Sequence, residues 1–366
     1  MRLTYFCVLY LAVVLPGFAQ TASSAGPGLP TDPREVFAAA APFYDFTSPE
    51  LKPWHLKATY QLYDEKGKAS EQGTYEYWWA SPQVYRSTWT RPSATHSEWH
   101  AANGNLAHQD IGEPLKFFEY KLQDAFLSPL PRSADLAPEK SRLDQESLGK
   151  KDSKVPCIMV IPLMPKYPDL KTVPLGLFPT YCFDPQMPVL RASRDFGTMT
   201  TQFNHIVKVQ NKYLAREILV FEEKRKILSA EVEPITTLDP SDPALTLPAS
   251  NLPPSTPASS AAGTTPKQLM VVHISAGLMT GMLVKKTTPI YPQQAKDAHI
   301  TGTVVLQARI GRDGGIHDLH VISAPDPSLA IASLWAVSQW EYKPYLLNGE
   351  PVEVMTTVNV IYTLGR

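Results

Sequence analysis

Between Thr236 and Gln268 the chain changes character. The segment has no aromatic residue, is rich in Pro, Ser, Thr and Ala, and is charged only at Asp239, Asp242 and Lys267. Such a stretch buries too little apolar surface to offset the entropy of ordering it. Its prolines favour extended backbone, so residues 236–268 read as a semi-rigid spacer, on the order of 100 Å long at full extension. A chain divided in this way folds as two units, residues 32–235 and 271–364. The full 366 residues give each unit length enough for a core of its own.

The charge balance narrows the function. Charged residues make up 19% and the formal net charge is -1. A nucleic-acid protein draws its affinity from Lys and Arg that neutralise phosphates, so nucleic acid is not an expected partner.

The first 19 residues read as an export signal. Arg2 is the one early charge, Leu3–Leu15 carries none, and Pro16 precedes Gly17-Phe18-Ala19 with small residues at the cleavage positions. The rival reading is an uncleaved inner-membrane anchor over Leu3–Ala19. Both place the rest of the chain in the periplasm. Cleavage removes Cys7 and leaves Cys157 and Cys182. In an oxidising compartment such a pair is most simply one disulfide, with two buried thiols as the alternative.

The unit 32–235 reads as strands. Trp54, Leu56, Ala58, Tyr60 and Leu62 alternate with polar neighbours, the period of a half-buried strand. Tyr75, Tyr77 and Trp79 share one face of the next strand. Asn103-Gly104 marks a hairpin. Leu115, Phe118, Leu122 and Phe126 recur at helical spacing until Pro129 and Pro131 stop the pattern. Strand-like runs then continue to Val232.

The unit 271–364 is mixed. Tyr291-Pro292 opens a short helix, and Val304, Leu306, Ala308 and Ile310 alternate in a strand. Asp313-Gly314-Gly315 turns it back. Asp326-Pro327 caps a second helix carrying Ala330, Leu334 and Val337 on one side. A last strand ends in Val358, Val360 and Tyr362. The whole chain is therefore α+β and β-rich.

In order and spacing, these C-terminal residues resemble the TonB C-terminal domain family. The carriers are Tyr291-Pro292 with Ala295, Gly302-x-Val304, Asp313-Gly314, Val321-x-Ser323, Trp340-x-Tyr342-x-Pro344 and Val358-Asn359-Val360. The resemblance implies a small antiparallel sheet with two helices on one face. It also implies binding to an outer-membrane TonB-dependent transporter in energy-coupled transport. A transporter segment would add a strand beside Thr357, Val358, Asn359, Val360, Ile361 and Tyr362, with Tyr291 and Pro292 nearby. A homodimer through the same edge is the alternative occupant. The sequence departs from the family pattern in three ways. It has no histidine in its first 54 residues, its spacer is short and nearly uncharged, and a large folded unit precedes the spacer. These departures bear on energy transduction, not on binding by the C-terminal unit.

The first unit resembles LolA-like lipoprotein-sorting domains through Trp54-x-Leu56-x-Ala58-x-Tyr60, Tyr181-x-Phe183-Asp184-Pro185 and Phe203–Tyr213. That resemblance implies an antiparallel half-barrel whose concave face holds an acyl chain or lipid. Trp54, Tyr60, Tyr75, Tyr77 and Trp79 would line such an apolar cavity, unless they form an ordinary sheet core. It also supplies the alternative function, a periplasmic lipid or lipoprotein carrier tethered by its C-terminal domain.

No catalytic motif stands out. The sequence has no G-x-S-x-G elbow, P-loop or dinucleotide glycine pattern, and the reading is a binding protein without catalytic residues, metal or cofactor. His317 and His320 lie three apart on a strand and point to opposite faces, which reads as solvated polar residues. His96, Glu98 and His100 share a face, either as metal contacts or as an exposed surface.

Overall fold

A computed structural model describes residues 28–148, 154–163, 176–195, 199–248, 272–274, 276–347 and 349–364. The signal segment 1–19 and most of the spacer lie outside the described residues.

The first domain is built on one antiparallel sheet. Strands β1 (Trp54–Tyr63), β2 (Ala69–Ser81), β3 (Val84–Arg91), β4 (Ala94–His100) and β5 (Leu106–Gly112) form a meander. A second run comprises β6 (Ser141–Leu148), β7 (Val155–Pro162), β8 (Thr180–Phe183), β9 (Leu190–Asp195), β10 (Met199–Val209), β11 (Lys212–Glu222) and β12 (Arg225–Val232). It returns to pair β12 with β1, so the sheet order is β5-β4-β3-β2-β1-β12-β11-β10-β9-β8-β7-β6. The alternation read from the sequence sets the faces: Trp54, Leu56, Ala58, Tyr60 and Leu62 are all buried. Trp54 pairs with Trp79, Leu56 with Tyr77 and Ala58 with Tyr75.

Two helices cover this face. Helix α1 (Pro33–Ala40) is capped by Asp32, which accepts from the Arg34 amide at 2.8 Å, and it buries Val36, Phe37 and Ala40. Helix α2 (Phe117–Leu127) is pinned from below. The Tyr60 hydroxyl donates to Glu119 at 2.8 Å, and Arg91 Nε lies 3.4 Å from the same carboxylate. Glu119 is fully buried and the Arg91 side chain is 1% exposed. Removing one partner of such a pair strands a charge in the core. Gly73 makes room for this arrangement, because a Cβ there would lie 2.5 Å from the Tyr60 ring.

Cys157 and Cys182 face each other across β7 and β8 and form a disulfide.

The first residues of the expected spacer, 236–245, pack against the first sheet. Strand β13 (Thr236–Thr237) pairs with β1 at Trp54 and His55. Leu238 and Leu245 are buried, and the Ala244 carbonyl accepts from Trp99 Nε1 at 3.1 Å. These leucines give a proline-rich stretch two apolar anchors.

The second domain contains β14 (Val272–His273), α3 (Ala276–Thr280), β15 (Leu283–Lys285), α4 (Gln293–Asp297), β16 (Gly302–Ile310) and β17 (Ile316–Ser323). After these come α5 (Pro327–Val337), β18 (Glu341–Tyr342), β19 (Leu346–Leu347), β20 (Glu350–Pro351) and β21 (Val354–Tyr362). The main sheet runs β14-β21-β16-β17. It is mixed, not purely antiparallel, because β14 lies parallel to β21. Val304, Leu306, Ala308 and Ile310 face α5, whose N-cap is Asp326 as its sequence predicts. Tyr362 closes the core with its hydroxyl 3.0 Å from Ser333 Oγ.

The two domains touch. Asp313, at the β16–β17 turn, accepts from the Leu115 amide at 3.3 Å and from the Tyr120 hydroxyl at the start of α2. The turn itself requires Gly314, which has φ +86° and would set a Cβ 1.9 Å from the Tyr342 carbonyl oxygen.

Candidate functional site

The first candidate is the outer edge of β21. On one side the strand pairs with β16 over its whole length, from Val354 opposite Ile310 to Tyr362 opposite Gly302. On the other side β14 meets only Val354 and Met355. Beyond Met355 no strand pairs with that side among the described residues. The carbonyls of Glu353 and Met355 point to the β14 side, where they accept from Val272 and Ile274. Backbone groups alternate sides along a strand, so Thr357, Asn359 and Ile361 continue that outward row. Their side chains stand on the sheet face away from α5, and Ile361 is 70% exposed. Val358 and Val360 are buried. Tyr291 sits beside the end of the strand, its ring 5.1 Å from that of Tyr362, and donates to the Ile300 carbonyl. Pro292 precedes α4 as its N-cap residue.

The second candidate is a cavity of about 380 Å³ between the domains. The first domain contributes Tyr77, Tyr85 and Glu98, and the second contributes Arg312, Asp313 and His317. Asp313 is satisfied by its two interdomain donors together with the Gly315 amide and His317 Nε2, each at 3.0 Å. Burial pushes its carboxyl up, but His317, Tyr120 and the Gly315 amide outweigh that and hold it well below the usual range. Glu98 bonds to His100. Burial opposes its charge too, yet His100, Arg312 and His317 keep its pKa below the ordinary value.

Both nitrogens of His96 face acceptors. Nδ1 lies 2.8 Å from Asp110 and Nε2 lies 2.7 Å from the Glu113 carbonyl. Two acceptors require two N–H donors, so the ring is held as a cation. Its pKa is raised although burial pulls it down, because Asp110 and the Glu113 carbonyl outweigh burial. His96 and His100 are buried rather than exposed, and His317 lies tilted against Tyr120 with ring centres 3.5 Å apart. Among the described residues no group of His, Cys, Asp and Glu is arranged to hold a metal ion.

The five aromatics expected to line an acyl cavity are placed differently. Trp54, Tyr60, Tyr75 and Trp79 are at most 1% exposed and pack on one another or under α2. Tyr75 stacks on Phe126 at 5.8 Å and Trp54 on Trp79 at 6.1 Å. Only Tyr77 lines one of the two cavities described, and that cavity is polar. The other cavity, of about 270 Å³, lies beside α1 at Phe37 and Leu130. The interdomain cavity has no signal in the sequence, since its walls come from residues some 200 positions apart.

Residues 287–364 match the family described as Gram-negative bacterial TonB protein C-terminal. No curated protein matches the chain in sequence. Among solved structures, the chain is similar to a LolA superfamily protein from Nitrosomonas europaea, with TM-score 0.34 and 8% identity over 58% of this chain and 97% of that one. A putative outer membrane lipoprotein-sorting protein domain from Vibrio parahaemolyticus gives 0.31 and 9% over 52% and 88%. A DUF1329 family protein from Desulfovibrio piger gives 0.30 and 8% over 51% and 86%. No helix among the described residues is long and apolar enough to cross a membrane.

Proposed function

We propose that the chain is a periplasmic, TonB-like binding protein that takes an extended segment of an outer-membrane transporter as an added strand on β21. The observation that carries this reading is the half-paired final strand. Within a TonB C-terminal domain, the outward row Thr357, Asn359 and Ile361 offers backbone donors and acceptors with no strand against them among the described residues. An open edge is a template for another chain, and the row contains neither charge nor proline. In such binding the main chain supplies affinity, and side chains on alternate positions supply selectivity. The export signal read from the sequence and the disulfide both fit the periplasm.

Replacing Asn359 or Ile361 with proline tests the reading. Each substitution removes an outward donor while leaving the β16 side paired. Binding of transporter-derived peptides, followed by fluorescence anisotropy, should fall in both variants, with folding checked by circular dichroism. Two folded variants that bind like wild type would falsify the added-strand model. Sedimentation decides the rival occupant: a wild-type dimer that either proline dissociates makes the partner a second copy.

A further inference from the structure

The interdomain cavity holds polar groups whose hydrogen-bonding capacity is only partly used. The Tyr77 residue is only 3% exposed and lines the cavity, yet its hydroxyl has no hydrogen-bond partner among the described residues. The Tyr85 hydroxyl is in the same position. Arg312 makes no hydrogen bond or ion pair among the described residues. Glu98 spends one carboxylate oxygen on His100. The other carboxylates are matched: Asp110 by His96 at 2.8 Å, Asp124 by Lys121 at 3.7 Å, Glu353 by Arg309 at 3.4 Å, and Asp313 by its four donors. Glu98 on the first domain thus keeps one carboxylate oxygen open to the cavity, and Arg312 on the second, which helps to lower the Glu98 pKa, keeps its donors open; beside them stand two tyrosine hydroxyls that both donate and accept.

The rings lining the cavity do not offer a platform. Tyr85 is stacked on His100 with centres 3.9 Å apart and on Tyr77 at 5.7 Å, and Tyr120 is covered by His317. At these tyrosines a sugar or a base would find the ring faces taken, and an acyl chain would strand the charges in an apolar contact.

We infer that this cavity binds a small zwitterionic solute of the amino-acid or dipeptide class, with its ammonium at Glu98 and its carboxylate at Arg312. The cavity's size falls in the range of small-molecule sites. Arg312 supplies the planar donor pair suited to a carboxylate. The tyrosyl hydroxyls remain protonated in the buried setting and complete the contacts to either end. Each domain contributes one charge, so the solute bridges them. The inference does not depend on what β21 binds.

The test is isothermal calorimetry on the full chain against the twenty standard amino acids and a set of glycyl dipeptides. At least one compound should bind. Its N-acetylated and its C-amidated derivatives should each bind at least about tenfold more weakly. Glu98→Gln should weaken the parent compound but not the N-acetylated one. Arg312→Gln should weaken the parent but not the amide. Circular dichroism establishes that both variants fold. The idea is overturned if no panel member binds, if both blocked derivatives bind as well as the parent, or if glucose binds in their place. Peptide binding at β21, measured separately, tells a failure here from a failure of the transporter reading.

Discussion

The hydroxyl of Tyr120, near the start of α2, donates to the carboxylate of Asp313, 193 residues further along the chain. This bond joins a helix of the first domain to a turn of the second. Its acceptor is the Asp of the Asp313-Gly314 turn, so one residue shapes the hairpin and holds the domain contact.

Breaking this bond should loosen the contact without unfolding either domain. Hydrogen bonds to charged groups contribute about 1.5–3 kcal/mol, and Tyr120→Phe removes one of the four that Asp313 receives. The Leu115 amide, which also donates to Asp313, should exchange with solvent faster in Tyr120→Phe and faster still in Asp313→Asn. Hydrogen-exchange mass spectrometry of α2 reads this directly. Unchanged exchange in both variants would mean that the contact does not persist in solution.

The disulfide should be present in protein taken from an oxidising compartment. Non-reducing mass spectrometry should recover Cys157 and Cys182 in one linked peptide pair. Closing a loop of this length contributes roughly 3 kcal/mol in the chain-entropy account, so a Cys157→Ser, Cys182→Ser double variant should unfold at lower urea. Quantitative alkylation of both thiols without reductant would refute the linkage.

Arg91 is the most exposed weakness of the first core. Arg91→Met leaves the Glu119 carboxylate buried without its cation, a change that costs about 3–5 kcal/mol. Adding Glu119→Gln should recover part of the loss, because the stranded charge is gone. Equilibrium unfolding of the two variants and wild type measures the difference, and two additive losses would show that the pair is not coupled.

His96 gives stability a pH dependence of known sign. Its pKa is raised in the folded state. The stabilisation is therefore fully present below the ordinary histidine value of about 6.5 and is lost as pH rises through the folded value. Melting temperature should decline on the alkaline side of neutrality, and His96→Gln should flatten that decline. Asp110 and Asp313 both favour the cation, whereas burial opposes it. A profile unchanged by the substitution would assign the titration to another group.

Much of the fold could be read from period and punctuation. The alternation at Trp54–Leu62 and Val304–Ile310 fixed which faces are buried, and Asp326-Pro327 located a helix start. The run Leu115–Phe126 located α2. Helix α1 carried an equally good cap in Asp32-Pro33, but its eight residues are too short for periodicity to stand out. The β21 edge was legible only as the last strand; that β14 covers its first two residues depends on a chain reversal no local pattern encodes. The interdomain cavity was not legible at all. His96 and His317 each look like surface histidines in isolation, and their partners become neighbours only through tertiary contact.

Strand β21 runs unbroken from Val354 to Tyr362, and Glu353, just before it, lines the interdomain cavity. At about 3.4 Å per residue, Glu353 and Ile361 stand roughly 27 Å apart on one continuous piece of backbone. Two ligands on one rigid element obey linkage. Whatever factor a solute at the Glu353 end imposes on the affinity of a strand at the Ile361 end, the strand imposes on the affinity of the solute. The signal would then be as readable from the solute side as from the partner side.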